Sequence, residues 1–145
     1  MKLINENINK YLYGPSKEEA IDRIERSNIE PNKLLLYSAE IGYLKGVKKA
    51  IEIGANIHVH DNEPIFLAAK EGHLDIVKYL VKMGAEIDEW SYESFRWAAR
   101  NGHLDVVKYL VKQGADIHAR DDYALRYAAK EGHSDVVNYL KSQMK

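Results

Sequence analysis

Six histidines are the side chains with which this chain could most readily do chemistry, and their spacing argues that most of them do not. His73, His103 and His133 recur at one interval, each directly after a glycine. A catalytic residue is rarely needed three times, so the repetition favours a structural role in which each ring hydrogen-bonds a loop. His58 and His118 also share a register, with Asp88 as the intervening copy, and read as residues of a connecting loop. His60 stands outside the pattern, and His58-x-His60-Asp61 could give two or three ligands to a metal. No fourth ligand follows nearby and the chain has no cysteine, so a solvated loop is the favoured reading and no metal is expected. Asp75, Asp105 and Asp135 return every 30 residues and read as helix-terminus residues, not as a catalytic pair. Glu86-Ile87-Asp88-Glu89 and Asp121-Asp122 read as solvated acidic loops. Phosphate loops, dinucleotide-binding glycine patterns, nucleophile elbows and zinc-protease signatures are absent from the sequence. The expectation is a protein that is not an enzyme and uses no cofactor.

The elements that carry these residues belong to one domain by size, 145 residues, with 46% hydrophobic and 30% charged side chains. The charge is balanced along the chain: residues 1–60 hold 9 basic and 8 acidic side chains, residues 61–145 hold 12 and 14. Bulk charge therefore points to no nucleic acid, membrane or acidic partner. Absence of cysteine excludes a disulfide framework and favours a reducing, intracellular setting. The first residues, Met1-Lys2-Leu3-Ile4-Asn5-Glu6-Asn7, turn polar too soon for a secretory leader, and no apolar run approaches the ~18 residues of a membrane span. A cytoplasmic monomer is expected.

Self-similarity organises the rest. Ala68-Ala69-Lys70-Glu71-Gly72-His73-Leu74-Asp75-Ile76-Val77-Lys78-Tyr79-Leu80-Val81-Lys82 returns 30 residues later as Ala98 to Lys112 and again from Ala128 to Lys141. The same shift carries Gly42 to Gly72, Gly102 and Gly132, so a weaker copy starts near Pro31. Each copy predicts a short Ala-rich helix ending at that glycine, then a second helix such as Leu74 to Met83, stopped by Gly84. One such hairpin cannot bury its own apolar faces, whereas stacked copies share a continuous core. The run Ala-Ala-x-x-Gly-His-Leu-Asp-Val-Val-Lys-Tyr-Leu-Val-x-x-Gly-Ala-Asp-Ile resembles the ankyrin repeat over residues 31–145. The resemblance implies an all-α solenoid of helix-turn-helix units with projecting loops, in four repeats of about 31–60, 61–90, 91–120 and 121–145. It departs at the loops. Asp61-Asn62-Glu63-Pro64 and Asp121-Asp122-Tyr123-Ala124 lack three residues of the usual ~33, including the glycine, so stunted hairpins are expected. Units shortened in this way, with Asp-Asp-Tyr-Ala-Leu-Arg-Tyr-Ala-Ala, resemble those that large DNA viruses of amoebae encode, which would imply a host cytoplasm.

Both ends read as caps. Ser16-Lys17-Glu18-Glu19 is a capping-box pattern that, with a further helix over Leu3 to Leu12, would make residues 1–30 a helical cap. In the last copy Ser134 replaces Leu104 and Lys141 replaces Val111, a polar face expected where no further repeat stacks.

With the repeated template subtracted, the varying residues mark the surface for a partner. On the short helices Phe66 and Lys70, Arg96 and Arg100, and Arg126 and Lys130 form i, i+4 pairs at equivalent positions. Trp90, Tyr92 and Tyr123 stand in the loops beside them. The family resemblance places short helices and loop tips on a concave face that binds protein partners, and Arg, Trp and Tyr dominate binding energy at such faces. Glu63, Glu71, Glu93 and Glu131 are near enough in sequence to neutralise much of the ladder, and Trp97 and Tyr127, at the Leu67 position, are expected in the core. The reading is a protein-interaction module; the alternative is RNA or polyanion binding by the Arg and Lys ladder, with Trp90 or Tyr92 stacking on bases.

Overall fold

A computed structural model describes residues 16–87 and 92–144. Trp90 and the helix expected over Leu3 to Leu12 lie outside the described residues. Among the described residues nine helices follow in order: α1 Lys17–Arg26, α2 Pro31–Ile41, α3 Leu44–Glu52, α4 Val59–Lys70, α5 Leu74–Lys82, α6 Tyr92–Arg100, α7 Leu104–Lys112, α8 Ala119–Lys130 and α9 Ser134–Gln143. Pairs α2–α3, α4–α5, α6–α7 and α8–α9 form successive helical hairpins. No strand occurs among the described residues.

The first helices α2, α4, α6 and α8 pack closely on one another in series, while the second helices α3, α5, α7 and α9 touch only lightly. The stack therefore curves toward the first helices. Small residues permit that approach: Ala39, Ala68, Ala69, Ala98, Ala99 and Ala128 are fully buried. Ile76, Val77, Leu80 and their counterparts Val106, Val107 and Leu110 fill the layer between first and second helices.

Glycine and histidine form the joint between repeats. Gly42, Gly72 and Gly102 have φ near +80°, and an added Cβ would lie 2.5–2.6 Å from the ring of His73, His103 and His133 respectively. Both the left-handed backbone and the ring exclude a side chain there. His73 Nε2–H donates to the carbonyl of Glu40 and His103 Nε2–H to that of Lys70, each at 2.9 Å. These carbonyls sit at the C-terminal end of the preceding repeat's first helix, where no intrahelical donor reaches them. The ring thus bonds the helix end of the previous repeat, not a loop within its own.

The connecting loops differ from the expected stunted hairpin. His60, Asp61 and Asn62, and likewise Arg120, Asp121 and Asp122, sit in left-handed conformation with φ of 50–65°. Three consecutive non-glycine residues there cost roughly 1–2 kcal/mol each, so the turn needs local bonds. His58 Nδ1–H donates to Asn62 Oδ1 and His118 Nδ1–H to Asp122 Oδ1, both at 2.6 Å. Asn56 and Asp116 accept from the backbone N–H of His58 and His118. With the glycine tip deleted, a single left-handed turn is the shortest reversal that still delivers the chain to the next helix.

The first repeat departs from its copies at one buried pair. Ser38 replaces Ala68, and its hydroxyl is buried with no hydrogen-bond partner among the described residues. Gly46 stands where Ile76 stands in the next copy, and a Cβ there would lie 2.2 Å from Ser38 Oγ. Helix α1 leans on this repeat. Ser16 Oγ accepts from the N–H of Glu19, Ala20 and Ile24 are buried, and Lys17 Nζ donates to the carbonyl of Gly42. Tyr43 donates its hydroxyl to Glu25, which also faces Lys45. In the last repeat Ser134 and Lys141 are exposed, as is Ala129, the counterpart of the buried Ala69 and Ala99.

Candidate functional site

Curvature toward the first helices makes them the inner face, and their non-template side chains meet there across repeats. Lys70 lies 5.2 Å from the ring of Trp97 and 6.0 Å from that of Phe66. Arg100 lies 4.7 Å from Trp97 and 5.0 Å from Tyr127, and Lys130 is 5.6 Å from Tyr127. In a second column Arg96 lies 4.7 Å from Tyr123, with Tyr92 and Trp97 at 5.6 and 5.7 Å. Tyr123 and Tyr127 stack at 3.9 Å. Cations and rings thus alternate over three repeats, an arrangement in which each cation is attracted to the ring quadrupole and held in place.

Trp97 and Tyr127, expected in the core with Leu67, are corrected by this geometry: both are half-buried and form the middle of the ladder. The inner column widens from Leu67 to large rings because adjacent cations cover the rings' outer faces. Tyr92, expected in a loop, is the first residue of α6, and Tyr123 lies within α8.

The cations are not equivalent. Arg96 keeps only 21% of its side chain exposed and donates to Glu93 at 2.5 Å, so it is largely consumed by its surroundings. Arg126 is exposed, but its Nε and one Nη donate to the carbonyls of Asp121 and Arg120, clamping the left-handed turn. Arg100 has a loose ion pair with Glu131 at 3.7 Å. Lys70, Lys130 and Arg120 have no ion pair among the described residues, and Arg120 lies 5.1 Å from the ring of Tyr92. Arg120, with Asp122 and Tyr123, is one of the loop residues that vary between copies in the sequence, and the structure sets it opposite Tyr92. Of the four glutamates near the ladder, Glu93 and Glu131 do pair with it, while Glu63 faces His60 at 2.7 Å.

Electrostatics follow from this crowding. A hydrogen bond from Tyr123 holds the Tyr127 phenol below its ordinary value, with burial opposing and Lys130, Arg100 and Arg126 assisting. At the other end of the face, burial raises the Glu40 carboxyl, Glu71 adds to this, Lys70 opposes it, and Glu63 adds a little more.

Cation–ring contacts also occur on the outer helices, where Lys48, Lys78 and Lys108 lie 5.3–5.8 Å from Tyr79, Tyr109 and Tyr139 of the following repeat. These belong to the repeated template and join neighbouring units. The inner ladder recurs only in part: Lys70–Trp97 returns as Arg100–Tyr127, while the first repeat has Glu40 where the ladder has a cation.

Neither His58, His60 and Asp61 nor any other three His, Asp or Glu residues are grouped to hold a metal ion among the described residues. No helix among them is long and apolar enough to cross a membrane. No curated protein matches the chain. A family model described as ankyrin repeats (3 copies) matches residues 34–121 and 95–145. Its repeats are generally protein–protein interaction modules, and its members are typically not enzymes. With the helical hairpins, the glycine–histidine joints and this match over most of its length, the chain belongs to the ankyrin repeat family.

Proposed function

We propose that the inner face formed by the short helices and connecting turns binds a protein partner, and that the chain works without catalysis, cofactor or metal. The observation that carries this reading is the ladder from Phe66 to Lys130. It is exposed or half-exposed, continuous over three repeats, and built from side chains that differ between copies. Among the site residues, Phe66, Lys70, Arg100, Tyr123 and Lys130 are the contact positions, joined by Arg120. Arg96 and Arg126 act mainly by holding neighbouring groups, Tyr92 flanks Arg96, and Trp90 completes the set from its sequence position.

The test is capture of a partner, its purification, and calorimetric titration against the wild type and Arg100→Ala, Lys130→Ala and Lys82→Ala variants. Loss of about tenfold in affinity for either ladder variant, against no change for Lys82→Ala at the end of the outer helix α5, supports the face. Equal affinity for all four would remove it. RNA or polyanion binding is the second reading, favoured by arginines lying on exposed rings; a steep fall of affinity with salt would mark it, since counterions are released on phosphate binding.

A further inference from the structure

The inner face is divided by charge. Beside the cation ladder lies a cleft of about 620 Å³ with Asp61, Glu63, Glu86 and Glu93 in its lining and Phe66 and Ile65 as its apolar wall. Asp61 and Glu86 have no ion pair among the described residues. Ser94, only 2% exposed, lines the same cleft. Glu40 and Glu71 extend the acidic side, where burial first and then Glu71 raise the Glu40 carboxyl. The cleft is continuous with the ladder, because Phe66 belongs to both and Glu93 holds Arg96. On the other side Arg100, Arg120 and Lys130 keep unused donors. A guanidinium whose face rests on a ring still has every N–H at its edge, the geometry that suits a carboxylate.

We propose that this face takes an extended peptide segment with charge order, its acidic residues over Arg100, Arg120 and Lys130 and a basic residue in the Phe66 cleft. The inference rests on the inner-face reading and adds the partner's chemistry. Packed helices lie about 8–10 Å apart and an extended chain advances about 3.3 Å per residue, so one repeat corresponds to about three residues. Counted from Phe66 on α4, Arg100 on α6 lies one repeat away and Arg120 and Lys130 on α8 lie two repeats away. The basic residue therefore stands about three to six residues from the acidic ones. In the cleft its cation would meet an aromatic wall and two unpaired carboxylates, Asp61 and Glu86. A uniform polyanion following the short helices would carry its phosphates over Glu40, Glu63 and Glu71, which repel it.

The experiment uses fluorescein-labelled probes and anisotropy titration of the full chain at physiological salt. One peptide carries an arginine, a neutral spacer of about four residues and a block of glutamates. A second has the same residues with charges alternating, a third has alanine for the arginine, and the fourth probe is an oligothymidylate. The segregated peptide should bind at least about fivefold more tightly than the alternating one and than the alanine peptide. Glu86→Lys should cancel the advantage of the arginine while the acid block still binds; Lys130→Glu, at an exposed site, should weaken both peptides, with an unchanged thermal melt showing that it folds. Equal binding of segregated and alternating peptides, no peptide binding, or tighter binding of the oligonucleotide would overturn the charge order. If the order fails while Lys130→Ala still weakens the captured partner, the inner face stands without it; if that variant is also silent, both fall.

Discussion

At the scale of single residues, the joint between repeats is decided by atoms too close for any substitution. At Gly72 an alanine would meet φ of +80°, costing about 1–2 kcal/mol, and three atoms of the His103 ring within 2.8 Å. Displacing that ring also breaks its hydrogen bond to the Lys70 carbonyl, which keeps the bond from Asn101 Nδ2, a loss of roughly another 0.5–1.5 kcal/mol. Gly132 has the same φ but nothing within 4 Å of its absent side chain. Urea unfolding should therefore show Gly72→Ala costing about 2 kcal/mol or more and Gly132→Ala about 1; equal losses would mean that the ring contact contributes nothing. Ser38 gives the opposite sign. Its buried hydroxyl has no partner among the described residues, so Ser38→Ala should raise stability by about 1 kcal/mol in the same assay. These glycines and histidines were legible in the sequence because they recur. The Ser38 defect was not, since whether its hydroxyl finds a partner is decided by the side chains packed around it.

At the scale of elements, helix α1 is attached through few groups, and one of them titrates. Burial, and then the hydrogen bond to Glu25, push the Tyr43 phenol up from 10.0 to about 12. The folded state favours the neutral phenol, so its contribution is complete below pH ~10 and is lost as pH rises through about 12. Circular-dichroism melts at pH values below and above ~10 should show the wild type losing more stability on the alkaline side than Tyr43→Phe, which starts lower; parallel losses would remove Tyr43 from the docking. The connecting turns are a second lesson at this scale. Three missing residues announced shorter loops, but not a left-handed turn, because its His58–Asn62 and His118–Asp122 bonds form only once the backbone has taken that shape.

At the scale of the molecule, the exposed outer side of the last repeat sets how the stack behaves. Ser134 and Lys141 stand where internal copies have Leu104 and Val111, both partly buried against the core. Changing them together, Ser134→Leu with Lys141→Val, should leave an apolar stripe that a further repeat would cover. Sedimentation velocity should then show concentration-dependent association; sedimentation unchanged from the wild type would deny that these residues act as a cap.

The sequence by itself determined the solenoid. A shift of 30 residues brings back glycines, paired alanines and the apolar positions of the second helix, and local periodicity is enough to fix helices and their ends. It also marked the short-helix cations as departures from the template. Only the tertiary structure decided what these do. Its ring contacts join Lys70 to Trp97, Arg96 to Tyr123 and Arg100 to Tyr127, each 27 residues on, one helical turn short of the repeat. Helical side chains lean toward their own N-terminus, so which neighbour a residue meets across repeats depends on how the helices are set against each other. That offset sets Arg96 among three rings and against Glu93, while Arg126, its equivalent one repeat on, is exposed and bonds the Asp121 and Arg120 carbonyls, a distinction that equal positions in a repeating sequence cannot express.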